Sequence, residues 1–244
     1  MKIVATIEAR MTSTRLPGKT LKPILGKPML ELLVERLCRA KYVDEVVIAT
    51  TIDSSDDAIE ALAKKIGVGI YRGSMEDVLD RVLQAALAYN ADLLVEMTGD
   101  CPLLDPDVVD LAIATFQNGH YDYVSNVVER TYPRGLDTQV YPTQVLAEVD
   151  KKTQEPADRE NVSLYIYEHP QEYRLGHFHA EGNLKRPDLR LTVDTPEDFR
   201  LISRIYELLY PSNSAFGLEE VIDVINNDPE LVEINAHIQQ KSVR

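Results

Sequence analysis

The sequence predicts an α/β fold, a mostly parallel sheet covered by helices on both faces. The main observation is that short β-branched runs alternate with helical patterns through the first half of the chain. Such an alternation makes crossover units, which place helices on both sides of a parallel sheet. The second observation is length: 244 residues with no low-complexity linker and no internal repeat fit one large domain with a proper core.

Each element has its own local reason. Ile3 to Ile7 reads as a buried strand. From Met29 the apolar positions Leu32, Leu33, Leu37 and Ala40 recur at helical spacing, a face that packs on a sheet. "EVVIATT" (45–51) is a strand, and "DDAIEALAKKIG" (56–67) a helix closed by Gly67 as its C-cap. "VGIYRG" (68–73) is a third strand, followed by the helix "MEDVLDRVLQAALAY", and "DLLVEMTG" (92–99) is a fourth strand. Asp105 caps a further helix that opens with Pro106. From about Tyr121 the alternation loosens. "YDYVSN", "LDTQVY", "EYRLGHFHA" and "LRLTV" read as strands, with a helix near "DRENVSLYIYEH" between them. The region from Thr195 is mostly helical. The expected organisation is therefore one domain, residues 1–244, with an inserted lobe at about 120–185.

Charge and composition narrow the function classes. The net charge of -14, from 26 basic and 40 acidic residues, argues against a broad electrostatic grip on nucleic acid or an anionic membrane. A local cluster of cations stands out against that background. Cys38 and Cys101 supply neither a disulfide framework nor a CxxC metal spacing. The N-terminal "MKIVATIEAR" is too short and too soon charged for a signal peptide, and no apolar run is long enough to cross a bilayer. A reducing cytoplasm is the expected compartment.

In parallel sheets ligands bind beyond the carboxyl ends of the strands. That rule singles out "EARMTSTRLPGKT" (8–20), the loop after the first strand. Its Gly18-Lys19-Thr20 tail resembles the end of a P-loop, but Ser13 stands where the P-loop has its first glycine. Instead, Arg10, Arg15 and Lys19 fall within ten residues, with Pro17 and Gly18 bending and stiffening the segment. Three fixed cations at a strand end call for a polyphosphate; the competing assignment is a solvated basic loop paired with neighbouring acids. Asp100 and Asp194 also sit just past strand ends, in "TGDCPLLDP" and "RLTVDTPEDF". Two such carboxylates suit Mg2+, which completes its shell with phosphate and water, and the alternative for each is an ordinary turn or cap residue.

Weaker signals complete the picture. In "RGSMEDVLDR" Arg72, Asp77, Asp80 and Arg81 either line the site or, in the case of Asp77 and Arg81, pair along a helix surface. Arg134, Gly135 and Asp137 in "YPRGLDTQ" form a turn suited to an anionic or hydroxylated substrate, or simply a turn. His177 and His179 alternate with Glu181 along one strand face, more in keeping with a solvent face or subunit contact than with a metal site. No Ser–His–Asp, Cys–His or GxSxG arrangement supports covalent acyl chemistry, and Cys101 reads as a small buried residue.

"ARMTSTRLPGKTLKPILGKPML", "DEVVIATT", "YRGSMEDVLDR", "TGDCPLLDP", "YPRGLDTQVY", "DRENV" and "VDTPEDF" occur in this order across nearly the whole chain. Together they resemble the cytidylyltransferases of the acylneuraminate and Kdo type (CMP-sugar synthetases), most of all the branch named for spore-coat polysaccharide biosynthesis. The resemblance implies a nucleotide-diphospho-sugar transferase fold, a GT-A-like, Rossmann-like three-layer sandwich, usually homodimeric through the inserted lobe. It implies transfer of CMP from CTP to a sugar or sugar acid with release of pyrophosphate. Carried over by position, Arg10 and Lys19 grip the triphosphate with Arg15 in support, and Arg72 and Asp100 belong to the nucleotide site. Asp100 and Asp194 hold Mg2+, Ala9 and Thr50 lie where cytosine is read, and Arg134, Gly135, Asp137, Arg159 and Glu160 lie by the sugar.

The chain departs from that pattern at four places. Relatives usually carry Gln at Glu8, Gly at Thr12 and Arg at Glu96, and read R-E-H-V-T where this chain has Arg159-Glu160-Asn161-Val162-Ser163. The triphosphate grip is intact, whereas residues near the acceptor have changed, so extra negative charge at Glu8 and Glu96 is expected to disfavour an acidic sugar or to recruit another metal ion. Two other readings compete. A GT-A-like glycosyltransferase using a nucleotide-sugar donor usually carries an Asp-x-Asp pair, absent around Asp100. A nucleotide-binding homologue without catalysis sits poorly with Arg10, Lys19, Asp100 and Asp194 all being present.

Overall fold

Residues 1–241 are described by the structure, a computed structural model. The chain begins β1 (Ile3–Glu8), a short hairpin of β2 (Pro23–Ile24) and β3 (Lys27–Pro28), α1 (Met29–Leu37), β4 (Glu45–Thr51) and α2 (Asp57–Ile66). It continues through β5 (Gly69–Gly73), α3 (Val78–Ala88), β6 (Leu93–Thr98), α4 (Pro106–Asn118), β7 (Tyr123–Ser125), β8 (Gln139–Pro142) and α5 (Thr143–Lys152). The remaining elements are α6 (Pro156–Glu160), α7 (Leu164–Glu168), β9 (Leu175–His177), α8 (Pro196–Leu209), α9 (Leu218–Asn227) and α10 (Glu230–Glu233).

Seven strands form one sheet in the order β5-β4-β1-β6-β8-β7-β9. β1 pairs in parallel with both β4 and β6, and β4 in parallel with β5. β8 runs antiparallel to β6 and to β7. The segment expected as an inserted lobe thus contributes its strands to the same sheet. No helix among the described residues is long and apolar enough to cross a membrane.

The alternation of side chains along the strands explains the three layers. Ile3, Ala5 and Ile7 of β1 and Leu93, Val95 and Met97 of β6 pack toward α1, α4, α8 and α9. Val4, Leu94 and Tyr141 face the other way, against Leu79, Val82 and Ala86 of α3 and Leu146 of α5. By the same period Thr6, Glu8 and Glu96 belong to this second face, so three polar groups replace apolar residues where the two central strands approach their carboxyl ends.

The expected helix starts are found: Asp105 accepts from the amide of Asp107, and Thr195 forms a capping box with Asp198 ahead of Pro196. Gly67 closes α2 in the left-handed region at φ 74. Two expectations are corrected. "LRLTV" is no sheet strand: Leu191 N donates to Arg134 O (2.7 Å) and Val193 N to Asp100 O (2.8 Å), so its amides join two loops instead of a strand ladder. The helix over 158–169 is two short ones, α6 and α7, because the Asn161 side chain donates to Ala157 O (2.8 Å) and turns the chain.

Candidate active site

A cavity of about 1000 Å3 opens at the carboxyl ends of β1 and β6. Its rim is the loop after β1. That loop is held at both ends: the Met11 amide donates to Asp56 (2.7 Å), and the Thr20 hydroxyl donates to Arg10 O (3.0 Å). Gly18 adopts φ 70 and starts a short 3-10 turn at Lys19, a conformation that explains glycine there. The bend brings Arg10, Arg15 and Lys19 to one cavity wall.

Lys19 crosses to the opposite side of the sheet end. Its ammonium donates to Asp194 Oδ1 (3.0 Å), Asp100 Oδ2 (3.3 Å) and Val193 O (2.7 Å). Burial disfavours its charge, but Asp100 and Asp194 outweigh that and raise its pKa. Asp194 also takes Arg15 (2.9 Å) and Arg190 (2.8 Å), and these cations with Lys19 hold its pKa below the usual range despite burial. Asp100 Oδ1 accepts from the Thr98 hydroxyl at 2.7 Å, which orients the carboxylate. The two aspartates singled out by their strand-end positions therefore converge on one cation.

Arg134, Gly135, Asp137 and Glu160 line the same cavity, as does Ala9. Gly135 has φ +103, and a Cβ there would lie 2.5 Å from the carbonyl carbon of Leu191, so no other residue fits. Asp137 is paired through both oxygens with Arg130, a cavity residue that sequence reasoning missed. Arg81 lines the cavity rather than pairing with Asp77. Arg190 was missed as well, although its spacing of four from Asp194 and eight from Asp198 could have flagged it.

Three expected site residues lie outside the cavity. The Thr50 hydroxyl donates to buried Asp56 (3.1 Å), the residue that also anchors Met11, so Thr50 supports the loop. Arg72 sits over the acidic first turn of α2, donating to Asp57 and Glu60 at 2.7 Å each and to two backbone carbonyls. Arg159 pairs with Asp77 and Asp150, tying α6 to the cap of α3. For both arginines a nearer acid captures the cation. His177 and His179 both face Glu129, and among the described residues no group of three or more His, Cys, Asp or Glu gathers for a metal. Cys101 is buried, and burial with the Asp100 charge raises its thiol pKa, the opposite of an activated nucleophile.

The inner wall carries Glu8 and Glu96. Burial raises Glu96 to about 7, against opposing hydrogen bonds from Tyr141, Ser163 and Gln139. Burial and then the charge of Glu96 raise Glu8. Arg81 from α3 and Tyr123 from β7 face the same pair. A carboxyl group with a raised folded pKa binds protons more tightly when folded, so its stabilising contribution is full at acid pH and is lost as pH rises through about 7. Glu96→Gln is accordingly expected to flatten the fall in stability between about pH 4.5 and 7 by on the order of 3 kcal/mol, read from urea unfolding across that range. An unchanged pH profile would remove the buried titration from Glu96.

A parallel sheet with a cation-lined cavity beyond its carboxyl ends, facing two carboxylates, defines a nucleotidyltransferase-like protein. The comparisons make this specific: the cytidylyltransferase family profile matches residues 4–222, and the chain belongs to that family. It is 35% identical over 244 residues to the uncharacterized protein MJ1063 of Methanocaldococcus jannaschii, covering 100% of this chain and 98% of the relative. It is 35% identical over 237 residues to the spore coat polysaccharide biosynthesis protein SpsF of Bacillus subtilis, covering 93% and 95%. A solved cytidylyltransferase from Leptospira borgpetersenii superposes with a TM-score of 0.91 at 33% identity over 99% of both chains.

Proposed function

We propose that the protein transfers CMP from CTP to a hydroxyl of a sugar and releases pyrophosphate, in the synthesis of surface polysaccharide or glycoconjugate. The observation that carries this reading is Lys19, bridged to Asp100 and Asp194 while its loop mates Arg10 and Arg15 line the same cavity. A triphosphate entering there meets three cations from one preformed loop. The sugar oxygen bonds to the α-phosphorus as the bond to the bridging oxygen of the β-phosphate breaks, pyrophosphate leaves with that electron pair, and the hydroxyl proton passes to water. Negative charge grows on the departing pyrophosphate, next to Arg10, Arg15 and Lys19, which are already in place to stabilise it.

A divalent cation fits the donor set. Asp100 and Asp194 present hard oxygens that already share one positive charge, the donor type a divalent cation of this kind takes. Asp100 and Asp194 would hold Mg2+, and the ion would supply charge neutralisation at the phosphates. Lys19 then exchanges its carboxylate partners for phosphate oxygens. The test is to incubate the protein with each nucleoside triphosphate, Mg2+ and a panel of sugars and sugar acids, following pyrophosphate. Release that requires both CTP and an acceptor is the expected result. CTP binding without turnover would favour a binding protein, and nucleoside diphosphate released from a nucleotide-sugar would favour a glycosyltransferase.

A further inference from the structure

Part of the cavity wall comes from a segment far from the sheet in sequence. After α10 the chain returns to the carboxyl ends of the strands, where Gln240 and Lys241 line the cavity together with Arg15, Lys19 and Asp194. Two side chains hold the segment there. Asn235, 3% exposed, donates through Nδ2 to Arg190 O (3.0 Å) and to Asp198 Oδ1 (2.8 Å). Gln240 Oε1 accepts from Arg190 Nη1 (2.5 Å). Just upstream, Leu231 of α10 is packed into the core.

Arg190 connects this segment to the cations of the loop after β1. Its Nη2 donates to Asp194 Oδ2 (2.8 Å), and Asp194 Oδ1 takes Arg15 Nη2 (2.9 Å) and Lys19 Nζ (3.0 Å). One guanidinium and one carboxylate therefore separate Gln240 from two of the three loop cations. Lys241, next in the chain, is exposed and meets no acid among the described residues. Its ammonium, on a flexible four-carbon stem, is free to meet an arriving anion. Arg134 likewise pairs with no acid among the described residues. It is half-buried in the turn at Gly135, next to Arg130 and Asp137, and is the rival of Lys241 for an anion bound nearby.

We propose that Lys241 is a further phosphate-binding residue, carried on the segment after α10 to the β- and γ-phosphates of CTP and to the pyrophosphate they become. Gln240 and Asn235 are its positioning residues. The inference rests on the cytidylyl-transfer reading. Charge explains the need for it. Departing pyrophosphate gains negative charge, while Arg15 and Lys19 already share theirs with Asp100 and Asp194. A cation with no acid of its own adds an undivided positive charge at that place. CMP lacks the two outer phosphates and offers Lys241 nothing to bind.

The test is calorimetric titration of CTP, CMP and pyrophosphate, each with Mg2+, into wild type, Lys241→Ala, Lys241→Arg, Gln240→Ala and Arg134→Ala. Lys241→Ala is expected to weaken CTP and pyrophosphate by about fivefold to tenfold, the effect of one lost charge-assisted contact, with CMP within about twofold. Lys241→Arg should restore most of the loss, and Gln240→Ala should show the same pattern more weakly. Because Lys241 is exposed, the thermal midpoint of its alanine variant should stay within about 1 °C of wild type. CTP and pyrophosphate affinities within about twofold of wild type in Lys241→Ala would overturn the proposal, as would an equal loss for CMP. Pyrophosphate binding lost in Arg134→Ala and kept in Lys241→Ala would overturn it too, giving the anion to Arg134. Wild type that binds pyrophosphate through Lys241 but does not bind CTP would instead overturn the cytidylyl-transfer reading and leave the subsite standing.

Discussion

Lys19→Ala is expected to lower kcat/KM for CTP by on the order of 100-fold to 1000-fold, the scale seen when one preorganised charge-stabilising donor is removed. The reason lies in its position: one ammonium, mostly buried, reaches both Asp100 and Asp194 from the loop that also presents Arg10 and Arg15. Nothing else in the loop occupies that point, and Arg15 already pairs with the same Asp194 oxygen. The substitution has an opposite effect on the free protein. Two carboxylates that lose their shared ammonium repel each other and attract a divalent cation more strongly, so Mg2+ affinity without nucleotide should rise. Steady-state kinetics and calorimetric Mg2+ titration read the two effects separately. Turnover within about threefold of wild type would remove Lys19 from the phosphate site.

Asp198→Ala is expected to destabilise the protein by about 3–5 kcal/mol, the cost of leaving a buried charge without its partner. Asp198 is fully buried and accepts five hydrogen bonds. Two come from Arg190 (2.9 and 3.1 Å), two from the amides of Asp194 and Thr195 (3.0 Å each), and one from Asn235 (2.8 Å). Removing it strips the capping box of α8 and leaves Arg190 with Asp194 and Gln240. For a chain of this size the midpoint of thermal unfolding should fall by roughly 10 °C, followed by circular dichroism. Asp198→Asn keeps one acceptor oxygen but turns an NH2 donor toward the donors that met the other oxygen, so it should cost less than alanine without restoring wild-type stability. A shift below about 2 °C for the alanine variant would show that Arg190 and the α8 cap are secured by other groups. Because Asp198 also fixes the Asp194 amide, turnover should fall along with stability.

Much of this was legible locally. The helix at Met29, the Gly67 cap, the Asp105-Pro106 and Thr195-Pro196 starts and the bent basic loop each depend on neighbours a few residues apart. Asp100 and Asp194 were readable because the ends of parallel strands face one direction. Arg72 and Arg159 fall outside the cavity because an arginine's partner is decided by competition. Asp57 and Glu60 lie closest to one, Asp77 and Asp150 to the other, and no spacing along the chain reveals that.

What the sequence determined by itself is the set of layers and the end of the sheet where the cavity opens, since periodicity and strand direction follow from local backbone geometry. The tertiary structure alone decided that Lys19 stands between Asp100 and Asp194, that Asp198 and Arg190 lock the latter, and that Glu8 and Glu96 share one wall with Arg81. The physical reason is register. Alternation says which face a strand residue takes, but only the pairing of β1 with β6, residues far apart in the chain, sets two buried carboxyl groups side by side.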